Sequence, residues 1–130
     1  MKKILVVDDE PHIVKMTELR LKANGYEVIT AHDGQQGLDK ARSEKPDLII
    51  LDIVMPYMDG GDVARALAED DSTKDIPIIF LTALITKTEE SLGIGITTGT
   101  HHIIAKPFED EELLDKVKEL LEPGSGKEEE

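Results

Sequence analysis

The chain contains no cysteine, so no disulfide framework holds it together. It is also short of base: 15 Lys and Arg stand against 28 Asp and Glu, a formal charge of −13. Nucleic-acid backbones are bound by clustered Lys and Arg, and this balance weighs against such binding. Long apolar runs are missing as well. Stretches such as Leu48 to Leu51 are far too short to span a bilayer, and Met1-Lys2-Lys3 leads into a strand-length run without a signal-peptide cleavage site. The expectation is a soluble cytoplasmic protein that binds no membrane.

What is present is globular. At 130 residues the chain is the length of one domain, with 39% hydrophobic and 33% charged residues. A domain of this size buries a core large enough to need neither metal nor disulfide for its stability. The charge is unevenly placed: residues 109–130 hold ten acids and three bases, a net of −7, and residues 1–108 carry the remaining −6. Pro123-Gly124-Ser125-Gly126 reads as a linker and Lys127 to Glu130 as a disordered acidic tail, which leaves a domain over 1–122 and a tail over 123–130.

Within the domain, short apolar runs alternate with amphipathic stretches. Ile4-Leu5-Val6-Val7 is a run suited to a strand buried on both faces. Pro11 suits a first helical turn, and Ile13, Met16 and Leu21 recur at near-helical spacing up to Asn24-Gly25. Strands are predicted at Tyr26 to Ala31, Leu48 to Leu51, Ile76 to Leu81 and Ile103 to Ala105. Helices are predicted around Leu38 and Ala41, around Val63, Ala64 and Leu67, between the fourth and fifth strands, and from about Glu109 through Leu113, Leu114, Val117, Leu120 and Leu121. Five strands alternating with five helices predict an α/β domain with a parallel sheet covered on both faces.

Ligands of such sheets bind at the carboxyl ends of the strands. The residues there are Asp8 and Asp9, Asp52, Thr82 and Lys106. A single Asp after a strand is usually a cap or turn residue, and a single Lys-Pro usually a turn. Four strands ending this way are harder to dismiss. Three converging carboxylates repel one another unless a cation lies between them, and hard oxygen ligands favour Mg²⁺ or Mn²⁺. The metal and Lys106 would bring the site to neutrality, so an anionic phosphoryl group could enter. Asp52 would then act as nucleophile, with Thr82 donating a hydrogen bond to the phosphoryl oxygens.

With these residues in place, the chain resembles the receiver domains of two-component response regulators. The resemblance covers residues 2 to about 122 and rests on Lys3 to Pro11, Gly25-Tyr26, Asp33-Gly34, Pro46-Asp47, Leu48 to Asp52, Met55-Pro56, Met58-Asp59-Gly60, Pro77-Ile78-Ile79, Leu81-Thr82-Ala83 and Lys106-Pro107-Phe108. It implies a flavodoxin-like, doubly wound sheet of strand order 2-1-3-4-5. It implies Asp52 as phosphoacceptor, Mg²⁺ held by Asp9, Asp52, the Val54 carbonyl and Asp8 through water, and Thr82 and Lys106 as switch residues. The implied donor is a sensor histidine kinase or histidine phosphotransfer protein, docking near Pro11, Val14 and Phe108. The implied output is a partner, a C-terminal effector or a phosphorylation-dependent homodimer. The chain would be no enzyme beyond catalysing its own phosphorylation and dephosphorylation.

Three departures stand out. The family usually places an aromatic residue three positions before the strand-five lysine, where this chain has Ile103. The Thr82 to Lys106 stretch is slightly long, and Gly93, Gly95 and Gly99 among β-branched residues predict a short or shifted helix there. Val54 and Leu84, which flank the path of the hydrolytic water in receivers, cannot orient water, so slow self-dephosphorylation is expected. His101 and His102 are adjacent on a strand and unsuited to one metal. Met55 and Met58 read as packing residues.

Two other classes fit less well. An Mg²⁺-dependent aspartyl phosphohydrolase carries Asp-x-Asp after strand one and typically a cap domain, whereas this chain has Asp8-Asp9-Glu10 and no length for a cap. A flavodoxin-like flavin carrier needs a Ser, Thr and Gly-rich phosphate loop, where Asp8 and Asp9 would repel the phosphate. A receiver used as a constitutive interaction module is a further alternative.

Overall fold

The computed structural model describes residues 2–82, 101–105 and 109–122. Nine elements follow in order: β1 Lys3–Val7, α1 Pro11–Ala23, β2 Glu27–Ala31, α2 Gly34–Glu44, β3 Leu48–Asp52, α3 Gly60–Ala68, β4 Ile78–Thr82, β5 His101–Ala105 and α4 Asp110–Leu121. The helix expected between β4 and β5, together with Leu84, Lys106, Pro107, Phe108 and the 123–130 tail, lies outside the described residues. Among the described residues no helix is long and apolar enough to cross a membrane.

All five strands are parallel, in the order β2-β1-β3-β4-β5. The apolar runs explain the layering. Side chains alternate across a strand, so a strand buried on both sides must be apolar at every position. Leu5 and Val7 of β1, Ile49 and Leu51 of β3 and Ile78 and Phe80 of β4 face one core, shared with Leu38, Ala41, Val63 and Leu67 of α2 and α3. Ile4 and Val6, Leu48 and Ile50, and Ile79 and Leu81 face the other, shared with Leu21 of α1 and Leu113, Val117 and Leu121 of α4. Burying each such side chain contributes roughly 1.5–3 kcal/mol.

Local chemistry sets the helix starts. Pro11 opens α1, where a missing N–H costs nothing. The Asp33 carboxylate caps α2 by accepting from the Gln36 amide at 2.8 Å. Asp59 and Asp62 cap α3 reciprocally, each carboxylate accepting from the other's amide. Helix α2 also covers part of the open edge of β2. Lys40 Nζ donates to the Thr30 carbonyl at 2.6 Å, and the His32 amide donates to Gln36 Oε1 at 3.1 Å, which blunts an edge that would otherwise invite pairing.

One expectation for α1 needs correction. Met16 is 45% exposed, while Val14, Thr17 and Leu21 form the buried face. Val14 is only 3% exposed, so it is a core residue and offers no contact to a docking protein. The physical reason is that α1 carries two apolar stripes, and the buried one includes a threonine. Some strand ends also differ from the expectation. Tyr26 precedes β2, and β4 begins at Ile78 because Pro77 supplies no amide to the ladder. Strand β5 begins two residues earlier than expected, at His101.

Candidate functional site

The sheet delivers acids to one edge. Val7 and Leu51 are register partners on neighbouring strands, so the residues that follow them, Asp8 and Asp52, emerge side by side at the carboxyl edge. The ladders continue slightly past the strands: the Asp8 amide donates to the Ala31 carbonyl at 3.3 Å and the Ile53 amide to the Leu81 carbonyl at 3.2 Å. Both carbonyls belong to flanking strands, which pins the backbone under each acid. Asp8 is 1% exposed and Asp52 6%, whereas Asp9 is exposed.

Asp8, Asp9 and Asp52 each present a carboxylate oxygen within 4.8 Å of the others. Asp8 Oδ1 accepts from the Glu10 amide at 3.0 Å, and Asp52 Oδ1 from the Val54 amide at 3.3 Å. These bonds help to fix the two carboxylates. Three clustered carboxylate oxygens make a hard donor set, suited to an oxygen-loving divalent ion.

The loop after β3 is held close to this site. Gly60 opens α3 directly against the end of β3, and its amide donates to the Ile53 carbonyl at 2.8 Å. Met55 is buried and Met58 packs on the α2–α3 core, as expected for packing residues. Val54 is 56% exposed beside Asp52. At the loop's tip the Met58 amide donates to the Pro56 carbonyl at 2.7 Å across Tyr57, whose φ is 71°. That three-residue turn places a bulky residue in left-handed backbone, at a cost of roughly 1–3 kcal/mol. Nothing in the sequence signals it, since the usual marker of positive φ, a glycine, is missing at this position.

The other expected site residues sit as follows. Thr82 is the last residue of β4, and it pairs in register with Ala105, the last of β5, the residue before Lys106. Asp52 pairs with Leu81, so Thr82 lies one step beyond it on the adjacent strand. Ile103 is half-buried, pairs in register with Phe80 and packs against the core beneath α2 and α3.

Comparison with known proteins agrees with this geometry. The family model described as response regulator receiver domain matches residues 4–118. The chain is 42% identical over 120 residues to the alkaline phosphatase synthesis transcriptional regulatory protein PhoP of Bacillus subtilis, covering 92% of this chain and 48% of that protein. The chain thus spans about half the length of the curated relatives it matches. Among solved structures it is similar to the chemotaxis protein CheY4 of Vibrio cholerae, with a TM-score of 0.83, 36% identity and coverage of 93% of this chain and 99% of that one. It is also similar to the receiver domain of a sensor histidine kinase from Pseudomonas aeruginosa, with a TM-score of 0.82, 29% identity and coverage of 92% and 96%. That structure has a magnesium ion coordinated in its active site cleft.

Proposed function

Because the chain belongs to the response regulator receiver domain family, we propose that Asp52 is the residue that accepts a phosphoryl group from a phosphohistidine protein. The observation that carries this reading is the acid cluster of Asp8, Asp9 and Asp52 at the edge of the sheet. Asp52 is the member that ends the central strand, held from below by the β3 ladder and from one side by the Val54 amide. A carboxylate oxygen of Asp52 attacks phosphorus, the donor's P–N bond breaks, and the imidazole leaves as a neutral ring after taking up a proton. The product is an acyl phosphate on Asp52.

Asp8, Asp9 and Asp52, with the Val54 carbonyl, are the groups that would hold Mg²⁺ or Mn²⁺. The bound ion would supply positive charge to the phosphoryl oxygens. Thr82 donates a hydrogen bond to those oxygens, and Lys106 neutralises the remaining charge. The chain is no enzyme in the usual sense on this reading, since the only phosphoryl chemistry it promotes is its own. Phosphorylation acts by favouring one of two conformations, which an effector or partner protein then reads.

The donor is a sensor histidine kinase or a histidine phosphotransfer protein, and it docks over α1. Met16 and Leu19, 45% and 55% exposed, form an apolar stripe at helical spacing on the face of α1 away from the core. They replace Val14 as the contact residues. The experiment is uptake of beryllofluoride, a phosphoryl mimic, by the native chain and by Asp52→Asn, with and without Mg²⁺.

A further inference from the structure

Between the tip of the β3–α3 loop and the start of α2 lies a cavity of about 320 Å³, lined by Asp33, Gly34, Gln35, Pro56, Tyr57 and Met58. Its two walls are locked together. A side-chain carbon at Gly34 would collide with the carbonyl oxygen and side chain of Met58, so the first turn of α2 and the loop can meet only because residue 34 is glycine. Its outer wall is Tyr57, which is fully exposed and held out by the left-handed turn between Pro56 and Met58. A backbone strain kept at the surface under an uncovered aromatic ring points to a contact rather than to packing.

The chemistry of the lining is one-sided. Pro56, Tyr57 and Met58 are apolar or aromatic, and Asp33 supplies the only charge. One Asp33 oxygen accepts from the Gln36 amide; among the described residues no Lys, Arg or His forms an ion pair with this carboxylate. An exposed aromatic face beside an unneutralised carboxylate suits a planar cation, which stacks on the ring while its N–H groups donate to the acid. The formal charge of −13 favours the approach of a basic segment.

We infer that this cavity receives an arginine side chain presented by the phosphodonor protein, a specificity contact separate from the acid cluster. The choice of occupant rests on the proposed role of Asp52, which ends β3 five residues before Tyr57, and on the charge of Asp33, which favours a basic group on the protein that delivers the phosphoryl group. A lysine would fit less well, because a compact ammonium matches neither the ring plane nor a two-point contact with the carboxylate.

The test is an amide-resolved NMR titration of the full chain in saturating Mg²⁺ with the blocked peptide acetyl-Gly-Arg-Gly-amide. Its neutral citrulline counterpart serves as control. The arginine peptide should shift the amides of Gly34, Gln35, Tyr57 and Met58, and the citrulline peptide should not. Tyr57→Ala should weaken binding roughly two- to fivefold, the range for a cation over an exposed ring, and Tyr57→Phe should retain it. Asp33→Ser keeps a residue able to cap α2 while removing the charge, and should weaken binding comparably. Equal shifts with citrulline, shifts confined to other residues, or unchanged affinity in Tyr57→Ala would overturn the inference. Beryllofluoride uptake by the native chain, read in parallel, reports on Asp52 separately from the cavity.

Discussion

A side-chain carbon at Gly60 would stand 2.5 Å from the carbonyl oxygen of Asp52. The first residue of α3 and the acid at the end of β3 are therefore in backbone contact, and the helix rests on the strand end that carries the site. Gly60→Ala must push the two apart. We expect a loss of about 1–3 kcal/mol in denaturant unfolding, as for other overpacked positions, with weaker Mg²⁺ binding in the fraction that folds. Unaltered Mg²⁺ affinity would mean that the strand end does not move with the helix.

The acid cluster predicts a reversal of sign. Without metal the three carboxylates repel one another, so Asp52→Asn should stabilise the metal-free chain, by an amount of order 1 kcal/mol. With Mg²⁺ the native chain gains stability by mass action and the variant gains much less. Thermal unfolding of both forms in EDTA and in excess Mg²⁺ measures all four values. Equal Mg²⁺ stabilisation of native and variant chains would place the ion elsewhere.

On α1, the two apolar stripes predict different outcomes. Val14→Asp should prevent folding, since it buries a charge in the core. Met16→Ser and Leu19→Ser should leave unfolding nearly unchanged but slow phosphotransfer from a protein donor, with phosphorylation by a small phosphodonor unaffected. Loss of both activities together would show that α1 serves the fold alone.

Tyr26 is buried and donates from its hydroxyl to Glu122 Oε2 at 2.8 Å, tying the end of α4 to the start of β2. Burial first, and then the hydrogen bond and charge of Glu122, push this phenol from 10.0 up to about 12. A raised pKa means that the contribution is complete below the unfolded value and declines as pH rises through the folded one. Stability should therefore fall between about pH 10 and pH 12 by an amount on the order of 2 kcal/mol. Tyr26→Phe should cost about 1 kcal/mol at neutral pH and lack this share of the alkaline decline. Parallel alkaline unfolding curves for the two chains would contradict it.

Val54, exposed beside Asp52, has no group with which to orient a hydrolytic water. The acyl phosphate should last for minutes or longer in purified protein with Mg²⁺, and Val54→Asn should shorten it. A native lifetime of seconds would contradict the role given to this position.

The sheet was legible because of its redundancy. Ile4 to Val7 and Leu48 to Leu51 are apolar at every position, a pattern that only a strand buried on both faces requires, and the acids after them mark where each strand leaves the core. The site was legible to the same extent, since parallel strands put their ends at one edge and Asp8, Asp9 and Asp52 had to meet there. Helix α1 was harder to read. Its buried face runs through Thr17, so selecting apolar residues singled out Met16, which faces solvent. Tyr57 was illegible for a different reason: its left-handed backbone is imposed by the closure of the loop onto α2 and runs against the residue's own preference.

Phosphoryl acceptance by Asp52 at the acid cluster is read out by beryllofluoride uptake, followed by fluorine NMR of the full chain. The native chain should show a bound signal only when Mg²⁺ is present, and Asp52→Asn should show none. A bound signal of equal intensity in Asp52→Asn, or no signal from the native chain in saturating Mg²⁺, would contradict it.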